Sequence, residues 1–408
     1  MTLTSTSSAD ATPASPLPTT FQGFIRPDGR VGTRNHIGVF VVGNCGATAA
    51  RKVAEHFTRK RLAAFPQVDG VVPFLHELGC GMEMTGEPMD LLRRTIAGTI
   101  RNPNIAGALV IALGCERNNI RGFFQQEGLE VGPLLHMVVL QEVGGTANAI
   151  EAGIAAVQGM LPLVDAHRRE TVPVSRLVLG LQSAATDSFV GLSADPALGA
   201  AVDLLVAQGG TAILSNTAGL AVAETDALAR AATPAVASAL GERIHWWRGY
   251  TAGRDTRVQR AATVSADADA GLQRAGSSPV QAVHRYATPV TAGGLVFMDA
   301  PAYAAVSATG QIAGGANLLA VTTGSGSGFG AGAVPTVKLA GNSATFERMR
   351  DDLDIDCGPV LDGRLTAQQM GRIVYERLLA HASGEPTCSE DLGVGDNEFV
   401  PWPIGVLA

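Results

Sequence analysis

The sequence predicts an α/β protein built on parallel sheets, and three observations carry that expectation. Short apolar, β-branched runs alternate with longer segments of helical spacing. Nearly every residue of those runs is apolar, as in strands covered on both faces. Glycine is abundant (49 residues) and aromatics are scarce (5%), which suits tight strand-to-helix turns better than a sandwich or a disulfide scaffold.

Taken in order, the first twenty residues, MTLTSTSSADATPASPLPTT, lack the basic and apolar regions of a signal peptide and read as a disordered tail. FQGFIRPDGRVGTRN, from Phe21, is turn-rich, with a turn at Pro27-Asp28-Gly29. HIGVFVVGN (36–44) predicts a buried strand, and GATAARKVAEHFTRKRLAAF the helix behind it. GVVPFL (70–75), IAGALVIALG (105–114) and LLHMVVLQ (134–141) predict three further strands. EPMDLLRRTIAGTIRN (87–102), NNIRGFFQQEG and TANAIEAGIAAVQGML predict the helices between and after them. VDAHRRETVPVS (164–175) breaks the composition and reads as a linker, which divides the chain into domains at 21–165 and 166–408. The second half restarts with the strands RLVLGLQ (176–182) and TAILS (211–215), each followed by a helix. GGLVFMDAP (293–301) and ANLLAVTTG (316–324) are later strands, while residues 226–290 show no clear pattern.

With 408 residues, 46% apolar, the chain can bury a large core. A net charge of −7 without a Lys/Arg cluster gives no footprint for nucleic acid or a membrane surface. No apolar run reaches the ~18 residues expected of a membrane span. Five cysteines without an export signal predict free thiols in a reducing cytoplasm.

Ligands of open α/β sheets sit at the carboxyl ends of the strands. Asn44-Cys45-Gly46 follows the first strand, and His76-Glu77-Leu78-Gly79-Cys80-Gly81 the second. Gly114-Cys115-Glu116 follows the third, and Gln141-Glu142 the fourth. Cys45, His76, Cys80, Cys115 and Glu116 therefore form a candidate metal site, most naturally for Fe(II), with Zn(II) or another divalent cation as alternatives. Any one of these cysteines could instead be a small hydrophobe beside a tight turn. His76 is the first candidate for base or ligand, with Glu116 beside it. In the second half, Gln182, Ser183, Thr186, Asp187 and Ser188 form a polar loop suited to a hydroxylated or anionic substrate. TTGSGSGFGAGAVPTVKLAGN (322–342) offers Thr323, Ser325 and Ser327 in an anion nest, with Lys338 as its counter-charge. Its GxGxxA match at Gly326–Ala331 is a weak dinucleotide signal, because PTVKLA does not begin like a helix.

RPDGRVGTRN, HELGCGM, ALVIALGCERN, TDSFVGLSADPALGAAVDLLV and GLVFMDAPAYAAVSATGQIAGGANLL, in this order, resemble the altronate/galactarate dehydratase family, large-subunit type, related to sulfolactate sulfo-lyase. The resemblance runs over roughly residues 21–362. It implies a first α/β domain followed by a larger Rossmann-like one, a homodimer, and iron-dependent elimination of water from a sugar acid. It further implies that a separate small β-clip-type subunit could accompany the chain. The implied elimination chemistry agrees with a metal and base gathered among Cys45, His76, Cys80, Cys115 and Glu116, and Asp187 and Lys338 stand as further catalytic candidates from their own loops. The chain departs from the family pattern at Ser183 and Ala331 (each a Cys there), at Asn216 and Gly219 (acidic), at Thr225 (His) and at Ser325 (Arg). These departures keep a second reading open, a non-catalytic relative that binds a ligand or supports an assembly.

Overall fold

The computed structural model describes residues 16–184, 187–254, 271–395 and 398–404. In chain order its strands are β1 (Thr20–Ile25), β2 (Val31–Gly32), β3 (His36–Val41), β4 (Gly70–Phe74), β5 (Ile105–Ala112), β6 (Leu135–Val139) and β7 (Arg169–Pro173). They continue with β8 (Val178–Ala184), β9 (Thr211–Leu214), β10 (Val280–His284), β11 (Gly294–Met298), β12 (Leu318–Thr323), β13 (Thr336–Ala340) and β14 (Ile355–Asp356). Two parallel sheets follow, as the apolar strands require: a four-stranded one ordered β4-β3-β5-β6 and a seven-stranded one ordered β10-β11-β9-β8-β12-β13-β14.

Both faces of each sheet are buried, so alternate residues of one strand feed different cores. Ile37, Val39 and Val41 of β3 pack with Leu109 and Ile111 of β5 under the helices Ala47–His56 and Thr146–Asp165. Phe40 and Val42 join Val110 and Ala112 on the other face, under the helix Glu87–Ile100. Burying such a side chain contributes about 1.5–3 kcal/mol. Helix Thr146–Asp165 is long and apolar enough by length and composition to cross a membrane. Asn148, Glu151 and Gln158 interrupt its apolar run, and it lays Ala149, Val157, Met160 and Val164 on the sheet.

Two expectations change. The tail expected over residues 1–20 lies outside the described residues up to 15, but its end is ordered: the Tyr375 hydroxyl donates to the Pro18 carbonyl at 2.7 Å, and Thr20 opens β1. The stretch read as a linker contains β7, which pairs antiparallel with β1, and β1 also pairs with β2, making a third, three-stranded sheet. Its exposed, polar residues look like linker because an edge strand needs few apolar contacts. Residues 226–290, unassigned by pattern, contain the helix Pro234–Thr251, which Thr233 caps, and β10.

The two parallel sheets are joined through side-chain amides. Asn102 Nδ2 donates to the Ile312 and Ala316 carbonyls, each at 2.8 Å, and Asn104 Nδ2 to the Ala333 carbonyl at 3.0 Å. Helix Glu87–Ile100 lies on helix Ala304–Ala313 so closely that a Cβ at Gly98 would stand 2.5 Å from the Ala313 carbonyl oxygen.

Candidate active site

A cavity of about 490 Å³ opens at the carboxyl edge of the four-stranded sheet, beyond β3 and β4, within the ~300–1,000 Å³ usual for small-molecule sites. One wall carries Asn44, Ala47 and Arg51, at intervals of three and four residues along the turn and helix that follow β3. That spacing puts all three on one face. The segment Leu75, His76, Glu77, Leu78 after β4 forms another wall. Phe399, Val400, Pro401 and Pro403, from the far end of the chain, close it over.

Aromatic packing holds that closing segment at two points. Phe399 meets Phe74 edge-on at 5.3 Å between ring centres. Trp402 sits against Trp246 at 5.7 Å and Tyr286 at 5.4 Å, in the second domain. Between them the Val400 amide donates to Thr309 Oγ1 at 3.0 Å. Inside, the side chains of Asn44, Arg51 and Glu77 are exposed and have no hydrogen bond or ion pair to other described residues. An amide, a guanidinium and a carboxylate are thus free for a ligand.

His76 lines this cavity but is already engaged. Its Nε2–H donates to the Val41 carbonyl at 2.9 Å, and its Nδ1 accepts from the Leu78 amide at 3.2 Å. Both ring nitrogens are used, in the neutral tautomer, and burial lowers its pKa to about 4. His76 therefore acts as neither base nor ligand without breaking the loop that it holds; it pins that loop to β3 and positions Glu77. A neutral buried histidine stabilises the fold above its unfolded pKa of 6.5, and the stabilisation falls as pH drops toward about 4. Over that window the loss is roughly 3 kcal/mol. Urea unfolding at pH 7 and pH 4.5 is expected to show a shallower pH dependence for His76→Gln than for the wild type. An equal slope in both proteins would show that His76 is not the titrating group.

Glu116, the carboxylate expected beside His76, is likewise committed. Its oxygens accept from the Leu113 amide at 2.5 Å and the Gly114 amide at 2.8 Å, tying off the end of β5. It fits there because Gly43 has no side chain; a Cβ at that position would stand 2.8 Å from Glu116 Cγ. Gly79 similarly takes φ +103° and lets the loop cross the end of β3, where a Cβ would stand 2.3 Å from the Val42 carbonyl oxygen.

The loops do bring Cys45 and Cys80 side by side, and burial, then Cys45 and Glu116, raises the Cys80 pKa and favours its neutral thiol. Cys115 is exposed. Among the described residues, no three His, Cys, Asp or Glu side chains gather so as to hold a metal ion. The five proposed donors, Cys45, His76, Cys80, Cys115 and Glu116, do not fit an Fe(II) or Zn(II) centre as placed: the one ring lone pair of His76 is taken by the Leu78 amide, Glu116 is turned to two backbone amides, and no three of the donors gather.

Of the second-half candidates, Gln182, Ser183, Asp187 and Thr323 lie at the carboxyl ends of β8 and β12, where the seven-stranded sheet reverses its winding order, while the Ser188 side chain lies outside the described ones. Gly324 lies against Asp187: a Cβ there would be 2.2 Å from Asp187 Cγ. Their polar atoms, however, serve the fold. Gln182 Nε2 donates to Ser307 Oγ and Gln311 Oε1, at 2.9 and 2.8 Å. Asp187 caps the helix Ser188–Leu192 by accepting from the Phe189 and Val190 amides. Thr323 Oγ1 accepts from the Gly326 amide, and Ser327 Oγ from the Phe329 amide. Thr322 Oγ1 donates to Asp195 at 2.7 Å and accepts from the Ser183 hydroxyl at 3.2 Å. Ser325 is exposed, and Thr186 lies outside the described residues. Lys338 is fully buried on β13, its Nζ donating to the Ser327 carbonyl at 3.1 Å, so it neutralises no anion at Asp187. Since β13 is a strand, the Gly326–Ala331 stretch also lacks the helix that a dinucleotide motif needs.

Sequence reasoning thus found the rim but not all of its working side chains. Arg51 stands inside a helix whose pattern speaks only of packing; its spacing from Asn44 was the available signal. The closing segment Phe399–Pro403 had no signal, since nothing local ties it to residues more than three hundred positions earlier.

Fold and pocket together define an α/β protein with two parallel sheets whose small-molecule pocket, at the carboxyl ends of its strands, holds one cation and one carboxylate among the described residues. The chain belongs to the D-galactarate/altronate dehydratase family: residues 23–165 match the D-galactarate dehydratase/altronate hydrolase second domain, and 174–407 the D-galactarate/altronate dehydratase C-terminal domain. It is 30% identical over 386 residues to the altronate dehydratase of Bacillus subtilis (strain 168), covering 92% of this chain and 76% of that protein. It is 31% identical over 405 residues to the galactarate dehydratase (L-threo-forming) of Escherichia coli (strain K12), covering 94% and 77%. To the (2R)-sulfolactate sulfo-lyase subunit beta of Chromohalobacter salexigens the identity is 29% over 401 residues, covering 93% and 96%.

Proposed function

We propose that this protein is a carbon–oxygen lyase that dehydrates a small hydroxylated carboxylate in the cavity beneath Phe399–Pro403. The observation that carries the reading is the set of free polar side chains there, Asn44, Arg51 and Glu77, in a pocket of substrate size. Its relatives support the reaction class, since their names describe elimination from altronate, galactarate and sulfolactate.

In this reading Arg51 takes the substrate carboxylate through charge-assisted hydrogen bonds and carries the negative charge that develops when the α-proton leaves. Glu77 accepts that proton. The C–H electron pair becomes the Cα–Cβ double bond, and the β C–O pair departs with the oxygen. Protonated Glu77 returns the proton to that oxygen, so water leaves and the carboxylate is restored. The enol product then tautomerises to a 2-keto acid. Asn44 orients a substrate hydroxyl. No step is routed through iron, because the donor set as placed does not fit it. A cytoplasmic homodimer belongs to the same reading, with its five cysteines free. A small partner subunit is suggested only by the sulfo-lyase relative being itself a subunit.

The test is incubation of the purified protein with C4 to C6 aldonates, aldarates and sulfonated hydroxy acids, with 2-keto product measured. Product from at least one of them is expected. Binding of such acids with no product from any would favour the non-catalytic reading.

A further inference from the structure

The substrate class can be narrowed from the charges of the cavity, on the condition that the cavity is the substrate site. Among the described residues that line it, Arg51 is the sole cation and Glu77 the sole carboxylate. His76 is buried and uncharged, its Nδ1 accepting from the Leu78 amide. The closing segment is apolar and poor in donors: Pro401 and Pro403 have no N–H, and the Val400 N–H is already given to Thr309. One carboxylate at Arg51 is compensated. A second anion on the same molecule would face Glu77 or the Phe399–Pro403 wall, and Asn44 could offer it only a neutral amide.

From this we infer that the chain is specific for monocarboxylates: 2,3-dihydroxy acids that carry no second carboxylate and no sulfonate. Aldonates fit this class, and aldarates and sulfonated hydroxy acids do not. The cause is electrostatic exclusion, since like charges set together without a counter-ion cost several kcal/mol.

The experiment measures binding by titration calorimetry, beside turnover, for an aldonate and the aldarate of the same chain length and configuration. The aldonate is expected to bind at least about tenfold more tightly, since ~1.4 kcal/mol suffices for that ratio. Arg51→Met is expected to weaken aldonate binding by about 10- to 100-fold. Pro403→Arg adds a cation to the exposed part of the closing segment. It should raise aldarate affinity relative to aldonate affinity by about tenfold or more. An aldarate that binds as well as the aldonate, with both dependent on Arg51, would overturn the monocarboxylate inference and leave the site standing. Binding of either acid that Arg51→Met does not affect would overturn the site and the inference together, and so would no binding of either.

Discussion

Glu77→Gln is expected to lower kcat by about 10²- to 10⁴-fold, the range that a positioned proton-transfer group contributes. Glutamine keeps the shape of the side chain and loses only the ability to take a proton. The affinity for substrate should therefore change little, because Arg51 and Asn44 supply the binding in the proposed reaction. Glu77 is exposed and makes no hydrogen bond to other described residues, so its replacement leaves no buried group stranded. The melting temperature should stay within a degree or two of the wild type. Two readouts separate this role from a structural one: single-turnover dehydration, and exchange of the substrate α-proton with deuterated solvent. Both should fall together. If Glu77→Gln kept wild-type turnover, or lost it only by unfolding, the base would have to be sought elsewhere.

Which residues the sequence disclosed, and which it hid, has a physical cause. The strands were legible because a strand buried on both faces is mostly apolar, as β3, β5 and β12 are apart from His36, Thr322 and Thr323. The rim was legible because polar residues in glycine-rich turns follow those strands. Within the rim, sequence does not tell a free polar group from one committed to the backbone. His76 and Glu116 looked reactive beside Cys80 and Cys115, yet each is held by two main-chain hydrogen bonds. Glu77, one residue from His76, is free and looked incidental. The difference lies in where the loop amides point, and that depends on approaches such as Gly43 to Glu116, which only the folded chain reveals. Closure by Phe399–Pro403 was hidden for a different reason, since it rests on aromatic contacts between distant parts of the chain.

Arg274→Met is expected to destabilise the protein by about 3–5 kcal/mol, the cost of leaving one member of a buried ion pair without its partner. Arg274 Nε and Nη2 donate to the two oxygens of Asp195, each at 3.2 Å, and the two side chains are 7% and 0% exposed. Asp195 lies in the first turn of the helix Ala194–Ala207 and also accepts from Thr322 Oγ1 at 2.7 Å. The pair thus sits behind the polar residues at the ends of β8 and β12, where sequence reasoning placed a substrate loop. Removing the guanidinium strands a carboxylate in a dry core, whereas removing both charges does not. Arg274→Met with Asp195→Leu should recover much of the loss in urea unfolding, because apolar replacement of a whole buried pair is often close to neutral. Thr322 keeps Ser183 as a partner in that double variant. The same pair of proteins tests what the second-half crevice is for. If its polar residues hold the scaffold, the double variant keeps its substrate affinity once stability returns. A double variant that is stable but has lost substrate affinity would mean that the crevice between β8 and β12 contacts substrate after all, and that Ser183, Thr322 and Asp195 belong to the site.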